Sequence, residues 1–261
     1  MNNRSHDGKV AVVTGAAGSI GGALCTGLAE RGARVVAVDV REPASVIEHV
    51  TKAGGECVGL RADISSEQDV DALPSAVEQQ FGPCDILVNA AGIGAYMPFL
   101  QADYARWRQV LSVNLDAQFL MCKAFVPGMI ERRWGRIVNV SSTSLHTSTP
   151  GLTSYMASKG GVLGLTSALA NDLAEYGITV NAVSPSYVPN TGLGSDYSDP
   201  DHPKPPPAMP EEMEQFVIGA QAIKRLSTPR DMVGLVLFLS SDDAAFVTAQ
   251  FMAADGGLTR L

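Results

Sequence analysis

Lys9-Val-Ala-Val-Val-Thr14-Gly15-Ala-Ala-Gly18-Ser19-Ile20-Gly21-Gly22 is an apolar run that breaks into a glycine-rich turn and continues as a helical stretch to Arg31. A short Val/Ala run bounded by a turn reads as a buried strand. Glycines let the backbone approach a pyrophosphate without Cβ clashes. The helix that follows aims free N–H groups and its positive dipole end at the anion. The spacing also excludes chemistry: a triphosphate-binding Walker loop needs Lys-Ser/Thr after its last glycine, and Gly22-Ala23 stands there. Gly15, Gly18 and Gly21 fall at intervals of three, so the strict Gly-x-Gly-x-x-Gly fingerprint is absent and the turn is a wider variant.

A second apolar strand, Arg34-Val-Val-Ala-Val-Asp39, ends in a carboxylate eighteen residues past Gly21. A dinucleotide fold places its ribose-binding acid there, so Asp39 is expected on the adenosine 2′-hydroxyl. A 2′-phosphate would meet like charge at that point, which favours NAD over NADP. Arg41 is the counter-argument, since an arginine nearby accommodates that phosphate; its other reading is a solvated side chain heading the next helix.

Tyr155 and Lys159 stand four apart in a helical run, thirteen residues after the Ser141-Ser142 pair that closes another strand. Residues four apart share a helix face, so the Lys159 ammonium is expected beside the Tyr155 phenol, stabilising its anion. A phenol pKa of about 10 must fall by roughly three units to serve near neutrality, which needs about 4 kcal/mol of favourable charge interaction, within reach of one close cation plus a second positive charge on a bound cofactor. A lone Tyr-x-x-x-Lys is common in helices that do no chemistry; here it accompanies the turn and the acid.

Together these features resemble the short-chain dehydrogenase/reductase family, and the resemblance covers essentially the whole chain. Ala62-Asp63-Ile64 follows the third strand, where the family holds the adenine ring, and Asn89-Ala90-Ala91-Gly92 follows the fourth, beside the cofactor. Asn114 in Ser112-Val-Asn-Leu115 matches the family's helix asparagine, and Ser142 closes Ile137-Val-Asn-Val-Ser-Ser142. Pro185-Ser186-Tyr187-Val188 follows the sixth strand, at the family's nicotinamide contact, and Asp255-Gly256-Gly257 follows the seventh. The resemblance implies a single Rossmann-like, doubly wound α/β domain over residues 1–261, with a seven-stranded parallel sheet flanked by helices on both faces. It implies catalysis by Asn114, Ser142, Tyr155 and Lys159. The implied cofactor contacts are Gly15, Gly18, Ser19, Ile20, Gly21, Asp39, Asp63, Ile64, Asn89, Ala91, Gly92, Tyr155, Lys159, Pro185, Ser186 and Val188. Four positions depart from the pattern: Ser19 and Ala90 replace a glycine and an asparagine, Ser186 replaces the glycine after Pro185, and Asn190 takes a usual threonine position beside Thr191.

In the expected reaction Tyr155 removes the alcohol proton as hydride leaves the adjacent carbon for the nicotinamide. Ser142 orients the oxygen, Lys159 also binds the nicotinamide ribose, and Asn114 holds a water that leads the proton to solvent. The substrate is expected against Ser142, Ser144, His146, Tyr155 and Tyr187. Residues 190–225 read as a flap or lid: Gly194 to Pro207 is proline-rich, and Met209 to Ala222 is helical with Met213, Phe216, Val217 and Ala220 on one apolar face. The apolar lining suggests a cyclic or aromatic secondary alcohol. A sugar or polyol, an NADP-dependent 3-oxoacyl substrate, and dinucleotide sensing without turnover are the alternatives.

Composition agrees. The 261 residues carry a net charge of −8, which disfavours nucleic-acid or anionic-membrane partners. No apolar stretch approaches membrane-spanning length and the N-terminus lacks a signal-like hydrophobic region, so a cytoplasmic protein is expected. Cys25, Cys57, Cys84 and Cys122 are scattered without a Cys-x-x-Cys pair, which reads as buried reduced thiols and no metal site. His6 and His49 read as solvent-facing. The resemblance also implies a homotetramer or homodimer, and small residues along 157–168 would permit the close helix approach it needs.

Overall fold

The computed structural model describes residues 5–94, 96–189, 191 and 211–259. In chain order the elements are β1 (Val10–Thr14), α1 (Ser19–Glu30), β2 (Arg34–Asp39), α2 (Ala44–Lys52), β3 (Glu56–Arg61), α3 (Glu67–Phe81), β4 (Ile86–Asn89), α4 (Tyr104–Leu111), α5 (Ala117–Arg132), β5 (Gly135–Val140), α6 (Ser144–Thr147), α7 (Thr153–Leu173), β6 (Ile178–Pro185), α8 (Glu211–Ala220), α9 (Val233–Leu239) and β7 (Phe251–Ala254). A π turn, Ser112–Asp116, joins α4 to α5.

All strand pairs are parallel and the order is β3-β2-β1-β4-β5-β6-β7. This is the doubly wound, seven-stranded arrangement expected from the sequence. The order reverses between β1 and β4, the point at which such sheets open a crevice at their carboxyl ends.

Strand periodicity sorts the core into two layers. Val10, Val12, Val36 and Val38 face α3, α5 and α7, where they meet Leu73, Val77, Met121, Phe125, Met129 and Leu173. Ala11, Val13, Val35 and Ala37 face the other way, onto Leu24, Leu28, Val46, Val50, Val236 and Leu239 of α1, α2 and α9. Buried on both faces, the central strands read as continuous apolar runs rather than alternating ones.

The four cysteines are free and buried, as expected; burial pushes Cys57 up to about 11 and Cys122 to about 12, so neither is a ready nucleophile. One expectation fails. His6 does not face solvent: it is fully buried, with Nδ1 2.9 Å from the Ser5 hydroxyl and Nε2 2.8 Å from the Ser240 hydroxyl. On the apolar face expected of the lid helix, Phe216 is 70% exposed, Ala220 is exposed and Val217 is half-buried. Asn190, Met209 and the 194–207 flap lie outside the described residues.

Burial, aided by Arg31, lowers His6 from 6.5 to about 4. The unfolded chain therefore binds the extra proton between those values, so the contribution of neutral His6 is full above about pH 6.5 and is lost as pH falls toward 4. Urea titrations should show about 2 kcal/mol of acid destabilisation across that window after allowance for screening. His6→Gln should flatten that part of the profile; an unchanged slope would contradict the assignment.

Candidate functional site

The glycine turn is locked onto the end of β4. The Thr14 hydroxyl accepts the N–H groups of Ala90 and Ala91, both at 3.1 Å. Gly15 has φ +69°, and a Cβ there would stand 2.7 Å from the Ala91 Cα. At Gly21 a Cβ would stand 2.1 Å from the Gly15 carbonyl oxygen. Backbone contacts this close require glycine, and they draw the start of α1 against the turn. Gly18 is the N-cap of that helix and supplies no side-chain hydrogen bond, so the first-turn N–H groups near Ser19 and Ile20 are left for an external acceptor. The turn therefore fits a dinucleotide pyrophosphate.

Asp39 is 8% exposed and braces this turn: its carboxylate accepts Ala17 N–H at 3.0 Å and Arg41 N–H at 2.9 Å. Arg41 is not a solvated helix-head side chain. It is 27% exposed, with Nε 3.6 Å from the Asp39 carboxylate. A groove of about 490 Å³ beside the turn is lined by Ala17, Ser19, Ser45 and His49 among others; hydroxyls and a histidine stand there rather than lysine or arginine. Asp63 is exposed and held in a tight turn, with its carboxylate accepting the Ser65 N–H at 2.9 Å and the Ser65 hydroxyl at 2.7 Å; Ile64 is buried beside it. Asn89 is 1% exposed and donates to the Asn139 carbonyl oxygen at 2.9 Å, and Asn139 donates to Thr166 at 2.9 Å. It ties β4 to β5 and α7 below the crevice, whose rim carries Ala91 and Gly92.

Ser142, Tyr155, Lys159 and Asn114 converge. Tyr155 and Lys159 are both buried on α7, at 6% and 3% exposure, and the Lys159 Nζ lies 5.7 Å from the Tyr155 ring centre. That ammonium donates to the Val140 carbonyl at 2.8 Å, at the end of β5. Ser142 follows on the same strand end; its hydroxyl accepts Ser144 N–H at 3.2 Å and reaches the Tyr155 phenol by a hydrogen bond. Asn114 sits in the π turn, which shifts its side chain into the interior. There it clamps Ile93 through N–H···O at 2.8 Å and N–H···O=C at 2.9 Å, and donates to Ser158 at 3.0 Å. Gly92 leaves the space between these groups: a Cβ would stand 3.3 Å from Lys159 Nζ and 3.4 Å from the Asn114 carbonyl oxygen.

Burial raises the Tyr155 phenol above its ordinary value, and the Ser142 hydrogen bond opposes this only in part. Burial pushes Lys159 down to about 8. In the protein alone desolvation dominates, so the phenol is not yet an acidic one. A bound cationic nicotinamide would add the second positive charge that the neutral-pH chemistry needs.

Past the end of β6 the Pro185 carbonyl accepts the Thr143 hydroxyl at 3.0 Å, Val188 is buried, and the Ser186 hydroxyl donates to Gln221 at 2.8 Å. Gln221 was not legible in the sequence; it lies in Ala220-Gln-Ala-Ile-Lys-Arg225, which carries no motif. Of the residues expected at the substrate, the Ser144 hydroxyl is buried without a partner, Tyr187 is half-buried and His146 is exposed on α6. Among the described residues no group of three or more His, Cys, Asp or Glu is placed to hold a metal.

A family model described as Enoyl-(Acyl carrier protein) reductase matches residues 15–259. 2-(S)-hydroxypropyl-CoM dehydrogenase 3 of Xanthobacter autotrophicus is 35% identical over 263 residues, covering 100% of both chains. A solved structure assigned as a short-chain alcohol dehydrogenase of Sinorhizobium meliloti 1021 superposes with TM-score 0.88 at 31% identity, covering 98% of each chain. Another, assigned as an NAD(P)-dependent gluconate 5-dehydrogenase of Beutenbergia cavernae and holding NADP at low occupancy, gives 0.86 at 34% identity, again over 98% of each.

Gly15→Ala should destabilise the protein by about 2 kcal/mol or more, because it combines positive-φ strain with a backbone clash. Thermal or urea unfolding reads this directly, and a change under 0.5 kcal/mol would show that the turn is not locked.

Proposed function

The chain belongs to the short-chain dehydrogenase/reductase family, and from that premise we propose that it is an NAD-dependent enzyme interconverting a hydrophobic cyclic or aromatic secondary alcohol and its ketone. The single observation that carries this reading is the convergence of Ser142, Tyr155 and Lys159 at the carboxyl edge of β5, next to a glycine turn shaped for a pyrophosphate.

When bound, the nicotinamide supplies the hydride acceptor or donor. The turn at Gly15, Gly18, Ser19, Ile20 and Gly21 holds the pyrophosphate, Asp39 the adenosine ribose, Asp63 and Ile64 the adenine, and Pro185, Ser186 and Val188 the nicotinamide end. Tyr155 takes the proton from the alcohol oxygen, or returns it to the ketone. Ser142 donates to the same oxygen and stabilises charge developing there. Lys159 stabilises the phenolate, and its pKa of about 8 lets it pass a proton on near neutral pH. Asn114 holds the loop at Ile93 and the start of α7 in register, with an internal water as the onward proton acceptor. Ser144, with its buried unpartnered hydroxyl, and Tyr187 face the substrate.

Asp39 and the lack of a lysine or arginine in the Ser45–His49 groove support NAD. Arg41 draws off part of the Asp39 charge, and one solved relative holds NADP, so an NADP-dependent 3-oxoacyl reductase is the second reading; the acyl-carrier wording of the matched family model favours it. The half-exposed Phe119 of α5 and the exposed Phe246 and Phe251 near edge strand β7 support assembly as a homotetramer or homodimer.

Absorbance at the reduced-nicotinamide band, with NAD or NADP and a panel of cyclic secondary alcohols, tests the reading. Turnover should favour NAD, and Tyr155→Phe should lose activity by several orders of magnitude while still binding the dinucleotide. Full activity in that variant would remove Tyr155 from the mechanism, and preference for NADP with acyl thioesters would replace the first reading by the second.

A further inference from the structure

Pro185 closes β6 beside the strand end that carries Ser142. The ladder between β5 and β6 runs as far as Val140 and Val183, and the Ser141 N–H adds a bond to the Val183 carbonyl at 2.9 Å. Beyond that point the two strand ends are joined at one acceptor. The Pro185 carbonyl takes the Thr143 N–H at 3.2 Å and the Thr143 hydroxyl at 3.0 Å. Ser142 stands between these two tethered residues, and its hydroxyl is bonded to the Tyr155 phenol. That hydroxyl is thus placed only as firmly as the Pro185 carbonyl. A proline has no N–H with which to anchor itself, and the next residue, Ser186, holds the turn through its side chain.

The Ser186 hydroxyl donates to the Gln221 side-chain oxygen at 2.8 Å, across 35 positions of chain, and the two residues are 7% and 2% exposed. The amide has one way round: its nitrogen donates to the Ile223 carbonyl at 3.2 Å and to the Arg225 carbonyl, so the oxygen faces Ser186. Gln221 is itself anchored. Its N–H continues the bonding of α8 to the Val217 carbonyl, and its own carbonyl accepts the Lys224 ammonium. The next two N–H groups, of Ala222 and Ile223, both reach the Gly256 carbonyl at 2.9 Å, in the loop that leaves β7. That loop lies close: a Cβ on Gly257, where φ is +77°, would stand 2.9 Å from the Ala222 Cβ. The carboxyl ends of β5, β6 and β7 are therefore joined through Thr143, Pro185, Ser186, Gln221 and Gly256.

Building on the oxidoreductase reading, we propose that Gln221 is a positioning residue for Ser142: through Ser186 and Pro185 it fixes the strand end from which the serine hydroxyl meets the substrate oxygen and the Tyr155 phenol. The pairing also accounts for a serine after Pro185, since a glycine there has no hydroxyl to give Gln221. Gln221 acts through geometry and takes no part in the bond changes. A donor serves a reacting oxygen only from hydrogen-bond distance, and a displacement of about 1 Å costs up to about 10²-fold in rate. With the Ser186 bond removed, Pro185 loses its buried tether and a polar atom is left unpaired in the interior, which favours local rearrangement. The consequence falls on turnover and on the Tyr155 phenol, whose anion the Ser142 bond stabilises. The glycine turn follows β1, with β4 between it and β5, so its hold on a pyrophosphate is left in place.

The test uses Gln221→Leu and the milder Ser186→Ala, which removes a single oxygen, each in the full chain bound to NAD. Ultraviolet difference titration, with Tyr155→Phe as the blank, reads the phenol without any turnover. Each variant should raise the Tyr155 ionisation by about half a unit or more, with Ser142→Ala setting the upper limit. The double variant should shift no further than the larger single one, because both changes cut the same chain of bonds. In NAD-dependent oxidation of cyclohexanol, kcat should fall by about tenfold or more while calorimetric NAD affinity stays within about threefold. A lower melting temperature with the Tyr155 titration unmoved would reduce Gln221 to a structural brace and overturn the proposal. A shifted titration without cyclohexanol turnover in the wild type would count for the positioning role and against the oxidoreductase reading.

Discussion

A charged amine held in the protein interior is the constraint around which the site is arranged. Lys159 is 3% exposed, and an ammonium so far from water costs several kcal/mol unless its protons are satisfied. The fold meets that cost at one point, the Val140 carbonyl at the end of β5, 2.8 Å away. Ser141 returns a bond to the Lys159 backbone carbonyl at 3.0 Å, which fixes α7 against the strand end. Gly92 leaves the ammonium its space, and Asn114 holds the loop that carries Gly92. The same burial lowers the Lys159 pKa to about 8 and raises that of Tyr155, so the amine moves toward the pH at which proton transfer is useful while the phenol moves away from it until a bound cofactor's positive charge draws it back.

The dinucleotide end rests on a separate device. Asp39 is at once a candidate ribose ligand and the brace of the glycine turn, through Ala17 N–H. Its replacement would disturb the pyrophosphate cradle as well as the ribose contact. Arg41, lying on the same carboxylate, tunes how much negative charge a ribose or a phosphate would meet. Asp39 and Arg41 together thus set the charge that the ribose end of a bound dinucleotide would meet.

What could be read in the sequence was local. The run Arg34 to Asp39 became β2 with those ends, because continuous apolar strands and a terminal acid are short-range signals. Tyr155 and Lys159 share a face of α7 because four residues are one helical turn. Readings that depended on distant partners failed. His6 looked like a solvated residue near a flexible end, yet its partner Ser240 lies 234 positions away. Gln221 sits in a stretch without motif and acquires meaning only through Ser186, 35 positions earlier. Phe216 falls on a helical stripe whose period says which residues share a face but not whether that face is covered, and Phe216 is exposed. Spacing reports that Tyr155 lies near a cation and carries no information about the desolvation that raises its pKa in the protein alone.

The account's central claim is that Lys159 sets the acidity of the Tyr155 phenol once the dinucleotide is bound, and the pH dependence of kcat for alcohol oxidation tests it most directly. Wild type should show a single base ionising at about pH 8 or below. Lys159→Met, confirmed to bind the dinucleotide, should show that ionisation raised by about two units, since burial then acts on the phenol without an opposing cation. An unchanged profile in the variant would contradict the claim.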